Sequence, residues 1–389
     1  MTYEIDHLDG LTKIRLTGSI TSANAGELEA GIAAEPDGTD GIVFDASTLE
    51  YISSAGLRVL LAAKKRCKDK VFRIIHVNDE VMNVFDVTGF SEIMEIERAA
   101  RSVSIEGCSK IGAGACGEVY RLDDETIIKL YYPHVSKETI ELEKSLAKKA
   151  FVMGVPTAIS YDIVDCDGRT GVVYELIKSK TIGELIREDE SRLEEYVAMY
   201  ADVCRQIHSI TAEPGILPTF KELNREDIPK VVEITDEERQ LLYDFLDMLP
   251  DPMNCLHGDL NINNIMVQNG ECCLIDMGEF STGTPMFDIS RIIFSMEFAI
   301  PDEEEYNSFY KMPQSTVARI LRLFLRDYFG CDTLEEAAAK NPEVEWLYPL
   351  AWFRCCTSML KGNRWPEKRA MVHSLLREKL IPFIREHKS

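Results

Sequence analysis

The sequence predicts two domains of different class: an α/β domain with a mixed sheet covered by helices, then an α+β domain whose later part is largely helical. Three observations carry this. Short apolar strand candidates alternate with helix-period segments before Arg101, a glycine loop leads into a strand and the β-branched run 126–131, and the roughly eighty residues before His257 are mostly helix-patterned. With 389 residues the chain has length for two or three separate cores.

In the first domain, residues 12–16 alternate apolar and polar, residues 41–45 hold a continuous apolar run, and residues 71–76 form a third strand candidate. Strands of this kind need helices on the sheet to bury them. Ser53 and Ser54 open an apolar helix, where a serine hydroxyl caps free backbone amides, and either serine suits that place. Residues 97–102 form the connection to the second domain, too short for a long flexible tether.

The second domain opens with Ile111-Gly112-Ala113-Gly114-Ala115-Cys116-Gly117-Glu118-Val119-Tyr120. Gly112, Gly114 and Gly117 let backbone approach phosphate groups and offer amides to them. The loop leads into a strand rather than a helix, which fits a lid over phosphates and not a dinucleotide fingerprint. Residues 126–131 are a β-branched run carrying Lys129, placed to meet the α and β phosphates; the plain alternative is a solvated strand lysine. A helix follows, with Ser136 as N-cap and Leu142, Leu146 and Ala150 along one face. Glu143 on that helix is the residue expected to pair with Lys129. Glu141 is the alternate, although a solvated pairing with a helix lysine suits it better.

The densest signal is His257-Gly258-Asp259-Leu260-Asn261-Ile262-Asn263-Asn264, with Asp276-Met277-Gly278 downstream. Residues 265–267 and 272–275 read as a hairpin turning at Asn269-Gly270, which brings Asn264 and Asp276 to its open end. An Asp that accepts a hydroxyl proton, an Asn and a second Asp that hold magnesium: this is the spacing phosphoryl transfer needs. His257 reads as a brace for the loop and His208 as a core residue. Asp288 reads equally as a brace or as a helix N-cap.

On these motifs, the chain from about residue 105 to its C-terminus resembles the kinase-like phosphotransferases of the aminoglycoside and choline kinase group. The resemblance implies a two-lobed, protein-kinase-like fold over 105–389, with an N-lobe over about 105–177 and a C-lobe over about 178–389. It implies that Asp259 is the catalytic base, that Asn264 and Asp276 hold magnesium, and that Lys129, backed by Glu143, binds ATP phosphates. Residues 173–177 become the hinge, with the backbone of Glu175 and Ile177 meeting adenine. From Gly278 the chain reaches Ile289, at the end of the Pro285–Ile289 run, in only about ten residues, too few for the activation segment of a protein kinase. A small-molecule hydroxyl is therefore the expected acceptor, received among helical additions such as residues 193–208 and 236–249.

Residues 1–98 resemble the STAS domain of anti-sigma factor antagonists, whose motif runs Asp-Ser-Ser/Thr-Gly-Leu. Here it reads Ser53-Ser54-Ala55-Gly56-Leu57, and residues 84–90 are similar to the family's third helix and following turn. Ser54 takes the phosphorylated position, with Ser53 in place of the motif's Asp and Ala55 in place of its second hydroxyl. The resemblance implies a protein partner of the anti-sigma factor kind. It also opens a second reading, a serine kinase or nucleotide-binding signalling protein with Ser54 as phosphoacceptor.

A formal net charge of -23 and a pI near 4.8 argue against nucleic acid and anionic membrane as partners. The chain carries no N-terminal signal pattern and no run of eighteen apolar residues, so a cytoplasmic location is expected. Eleven cysteines without a CxxC fit reduced, buried thiols, and Cys116 in the glycine loop reads as a small filler residue, with a reactive thiol as the alternative.

Overall fold

Along the strand Leu11–Ile20, Thr12, Ile14 and Leu16 are buried while Lys13, Arg15 and Thr17 are exposed, the two-residue period of a strand with one covered face. The computed structural model describes residues 2–8, 10–35, 39–68, 70–99, 101–298, 309–361 and 366–388. The chain divides into two units, residues 1–104 and 105–389, each described by itself below.

The first unit contains a mixed sheet. β1 (Thr2–Leu8) pairs antiparallel with β2 (Leu11–Ile20). Next to β2, in order and all parallel, lie β3 (Gly41–Ile52), β4 (Val71–Val77) and β5 (Glu95–Arg98). The parallel pairings require crossovers, which α1 (Ala25–Ala34), α2 (Ser54–Cys67) and α3 (Asp79–Val87) supply, the last followed by the single turn α4 (Phe90–Ile93). Their buried faces and the strands form one core around Phe44, Leu60 and Phe85. β1 and β5 escape a reading by hydrophobic pattern because they are edge strands of mixed polarity, largely exposed. Glu97 and Arg98 belong to β5 rather than to a free connection, and Ala100 lies outside the described residues.

The serine pair divides its roles. Ser53 is the N-cap of α2, its Oγ accepting from the Gly56 N–H at 3.4 Å, and Ser54 is the first helical residue, exposed. Gly56 is required by contact: a Cβ there would stand 2.6 Å from Ile20 Cγ2.

The second unit begins with an antiparallel sheet whose strands run in the order Ser160–Cys166, Arg169–Glu175, Thr126–Tyr131, Gly117–Arg121, Ser109–Ala113. α5 (Lys137–Val152) starts where Ser136 Oγ accepts from the Thr139 N–H at 3.2 Å. Its buried face is Ile140, Glu143, Leu146, Ala147 and Ala150. Leu142, expected on that face, is instead 48% exposed. With 3.6 residues per turn, a strict four-residue spacing drifts by roughly 40° at each step, which carries Leu142 off the stripe. Glu141 is half-exposed and pairs with Lys137 at 3.9 Å, a solvated helix charge.

Beyond the sheet the unit is largely helical. α6 (Ile182–Glu188), α8 (Phe220–Asp227) and α9 (Asp236–Met248) each begin at a capping box, Thr181/Glu184, Thr219/Glu222 and Thr235/Glu238. α7 (Leu193–Ser209) packs on the helix Gln314–Phe329 through Tyr200 and Phe324, ring centres 4.5 Å apart. α10 (Met286–Ile293) and the helix Leu347–Met359 complete the core beneath the loop that carries Asp259. All eleven cysteines are free thiols; Cys116 is exposed and Cys108, Cys272 and Cys273 half-buried, so burial holds for the other seven only. Among the described residues no helix is long and apolar enough to cross a membrane.

Candidate active site

The glycine loop is the turn between Ser109–Ala113 and Gly117–Arg121, closed by the Gly114 N–H on the Gly117 carbonyl at 2.9 Å. Gly117 is dictated by packing, since a Cβ would sit 2.5 Å from the Leu130 carbonyl oxygen of the neighbouring strand. Gly114 faces open space, and Gly112 has only Val119 near, at ordinary contact distance. No packing demands glycine at either place, which leaves room above the loop backbone.

Lys129 lies on the strand beside that turn. Its Nζ donates to Glu143 Oε1 at 2.7 Å and to Asp276 Oδ1 at 2.9 Å. Burial acts to lower the lysine pKa, but the Asp276 and Glu143 carboxylates outweigh it and hold the ammonium above the usual lysine range. Tyr174 adds a hydroxyl donated to Glu143 Oε1 at 3.5 Å. The strand ends at Glu175, whose Oε2 accepts from the Ile159 N–H at 3.3 Å, and the carbonyl of Ile177 accepts from Ser179 at 2.9 Å.

Asp276 is held by the hairpin Ile265–Gln268 with Glu271–Leu274, whose turn residues Asn269 and Gly270 both have positive φ, +53° and +85°, as an Asn-Gly turn requires. At the open end the Ile275 N–H bonds the Asn264 carbonyl at 3.0 Å. Asp276 itself sits at φ +65°, a left-handed conformation that costs a non-glycine residue roughly 1–2 kcal/mol. The surrounding bonds hold this strain where the carboxylate meets Lys129.

The loop before the hairpin is built around a buried carboxylate. Asp288, 1% exposed, accepts the N–H groups of His257 and Gly258, each at 2.8 Å, and bonds His208 Nε2 at 3.1 Å. Burial pushes its pKa up, but His208 and the backbone donors hold it below the usual carboxylate value. Of its two readings, brace and N-cap, the brace is correct: Asp288 lies inside α10, and Pro285 precedes that helix with no side-chain cap. His257 is fully buried, gives Nε2–H to the Ile275 carbonyl at 3.0 Å and accepts the Asp259 N–H on Nδ1 at 3.2 Å, which fixes its tautomer. His208 is buried with its other nitrogen on the Tyr328 hydroxyl at 2.8 Å.

Asp259 stands on this braced loop. The Asn264 amide donates to its carbonyl at 2.9 Å and to its Oδ2 at 3.2 Å, with Asn261 near Oδ2 at 3.4 Å. Its Oδ1 pairs with Arg291 at 2.9 Å. Burial alone raises this carboxyl's pKa, but the Arg291 guanidinium paired with it, with Arg354 behind, reverses the effect and keeps it below the usual value.

Lys129, Glu143 and Asp276 thus form one contact group, and Asp259 with Asn264 another at the opposite strand of the same hairpin base. Sequence reading missed Arg291, Arg354 and Glu279. Arg291 follows Asp288 by three residues on α10, a spacing that marks it as a neighbour on the helix without naming its partner. Arg354 reaches the Gly258 carbonyl from 96 residues downstream, and no local pattern signals that.

A family model of the phosphotransferase enzyme family, APH, matches residues 107–324, more than half of the chain. The chain belongs to this phosphotransferase family. Its N-terminal part matches the STAS domain over residues 2–103. A candidate anti-sigma factor antagonist of Bordetella bronchiseptica, BtrV, is 35% identical over 107 residues, which cover 27% of this chain and 92% of that protein. Among solved structures, aminoglycoside phosphotransferase APH(2'')-Ib with ADP bound is similar at 16% identity and a TM-score of 0.45, covering 70% of this chain and 93% of that one. A choline/ethanolamine kinase family protein from Mesorhizobium loti is similar at 13% identity and a TM-score of 0.44, covering 72% and 92%. The protein is therefore a STAS domain joined to a domain of the phosphotransferase enzyme family; Lys129, Asp259, Asn264, Asp276 and Arg291 lie within the matched stretch, and Arg354 lies beyond it.

Proposed function

We propose that the phosphotransferase domain moves the γ-phosphoryl group of ATP to a hydroxyl of a small molecule, and that the STAS domain serves regulation or docking of a protein partner. The observation that carries this is the meeting of Lys129, Glu143 and Asp276 at 2.7 and 2.9 Å beside a glycine loop, at the base of the hairpin that also holds Asn264 against Asp259.

Donor chemistry fits magnesium. Asn264 and Asp276 offer an amide and a carboxylate oxygen, the hard ligands that magnesium takes one or two at a time from protein beside water and phosphate. Bound there, the ion supplies neutralisation of phosphate charge.

The chain's own residues do the rest. The amides around Gly112, Gly114 and Gly117 cover the phosphates, and Lys129, held by Glu143, neutralises the α and β groups. The backbone of Glu175 and Ile177 receives adenine. Asp259, kept ionised by Arg291, orients the acceptor hydroxyl and takes its proton, and Asn264 fixes the carboxylate while it does so. The segment after Gly278 passes through the short strand Ser281–Thr282 and enters α10 at Met286, which leaves little chain to support a peptide substrate.

Incubation with γ-labelled ATP and magnesium, followed by a screen of amino alcohols and aminoglycosides and mass spectrometry of the protein, tests the reading. Label on a small molecule supports it. Bound nucleotide with no labelled acceptor and no ATP turnover refutes it.

One observation favours a second reading. Ser53 takes the capping role and leaves Ser54 exposed at the first position of α2, where a phosphate would gain from the helix N-terminus. Label recovered on Ser54 in the same experiment makes the protein a serine kinase, or its substrate, in an anti-sigma factor antagonist pathway.

A further inference from the structure

The Gly258–Asp259 peptide, from which the Asp259 side chain springs, is gripped at both ends. His257 Nδ1 accepts its N–H at 3.2 Å, and Arg354 Nη2 donates to its carbonyl oxygen at 3.2 Å. The same Nη2 lies 3.3 Å from Glu279 Oε2, three residues after Asp276. Arg354 is 8% exposed, sits on the helix Leu347–Met359, and places its guanidinium over the Phe220 ring at 5.4 Å. That helix lies beyond the stretch matched to the phosphotransferase family, residues 107–324.

Backbone geometry makes the grip specific. Gly258 has φ +86°, and a Cβ there would stand 2.4 Å from Glu279 Cβ, so the two segments touch at their main chains. A guanidinium is suited to this junction because its planar fork presents several donors in one plane, one to a carbonyl and one to a carboxylate. A lysine ammonium lacks that fork. Removing the guanidinium leaves the buried Gly258 carbonyl without this donor and Glu279 without its cationic partner.

We propose that Arg354 and Glu279 are a positioning pair, which locks the peptide carrying Asp259 to the segment carrying Asp276. Their effect is to set the proton-accepting side chain and the metal-holding side chain in one register, so that a shift in either segment is transmitted to the other. The geometric part stands by itself; the catalytic consequence rests on the phosphotransfer reading above.

The test uses the full-length protein and the variants Arg354→Met, Arg354→Lys and Glu279→Gln. Amide hydrogen exchange is followed by mass spectrometry, together with ADP–magnesium affinity and the turnover of ATP. Arg354→Met is expected to speed exchange in residues 257–264 and 276–281 together, with the remaining helices of the unit unchanged. ATP turnover should fall by about 10- to 100-fold while nucleotide affinity holds, the pattern of a displaced catalytic group. Arg354→Lys should recover part of the rate, and Glu279→Gln should loosen residues 276–281 more than 257–264. Exchange that stays unchanged in both segments overturns the proposal, and so does an increase spread evenly over the unit, which marks Arg354 as a general packing residue. Should Arg354→Met fail to fold, the Lys and Gln variants decide by the same two criteria. A wild-type protein without ATP turnover sinks the phosphotransfer reading alone, since exchange still decides whether the pair couples the two segments.

Discussion

Lys129 and Asp276 lie 147 residues apart in the chain, and their side chains meet at 2.9 Å. With Glu143 at 2.7 Å on the other side, one ammonium ties the sheet, α5 and the base of the hairpin into a single charged group. The arrangement needs a cation. Glu143 is nearly nine-tenths buried, and two carboxylates facing each other without Lys129 would repel.

Replacement of Lys129 by Met should therefore weaken nucleotide binding more than it harms the fold. A hydrogen bond to a charged group contributes about 1.5–3 kcal/mol, so the Kd for ADP–magnesium should rise by about ten- to hundredfold, measured by titration calorimetry. An unchanged Kd would place the phosphates away from Lys129.

Asp259→Asn keeps the shape of the side chain and removes its ability to take a proton. Phosphoryl transfer should fall by about 10²- to 10⁴-fold, the span of a general base, with ADP affinity intact. Arg291→Met, which takes one charged partner from the same carboxylate, should cost less, about tenfold to a hundredfold. If instead Asp259→Asn loses nucleotide and keeps transfer, Asp259 is not the acceptor-side group.

How far these contacts could be read beforehand follows from how local they are. The Asn269-Gly270 turn announces itself because few residues accept two successive positive φ values, and the Ser136 cap because a serine before a helix has one main use. Leu142 misleads since a four-residue spacing imitates a helical stripe over a single turn and departs from it over three. β1 and β5 are hidden by polar edge sequences that a central strand would not tolerate. The arginines illustrate a different boundary. Periodicity says that Arg291 and Arg354 lie on helices, but their partners are chosen by the packing of elements far apart in sequence, and a single chain carries no signal for that.

Asp288 offers a prediction in pH. Its folded-state pKa is held below the unfolded value of about 3.9, because His208 and the backbone donors outweigh burial. A group of this sign contributes its full stability above the unfolded pKa and loses it as pH falls through the folded one. The melting temperature of the wild type should accordingly drop as pH falls below about 4, and Asp288→Asn should show a shallower fall over that range. At neutral pH the same variant should already be destabilised by about 1–3 kcal/mol, because an amide cannot accept on both sides and leaves one of the buried donors without its partner. Thermal melts across pH 3 to 7, on the order of one pH unit apart, check both points. Parallel curves for the two proteins would mean that Asp288 carries no ionic role.

Cys116 is the one exposed thiol among the eleven, and it sits at the tip of the glycine loop with its carbonyl bonded to the Tyr132 N–H at 2.8 Å. Seven of the others are buried, so a bulky alkylating reagent should mark Cys116 first. If the loop closes over phosphates, ADP with magnesium should slow that labelling, whereas adenosine, which lacks phosphates, should slow it far less. Mass spectrometry of the intact protein and its peptides over time reads both rates. Equal labelling with and without ADP would show that the loop does not cover the nucleotide, and the assignment of Gly112, Gly114 and Gly117 to phosphate binding would fall with it.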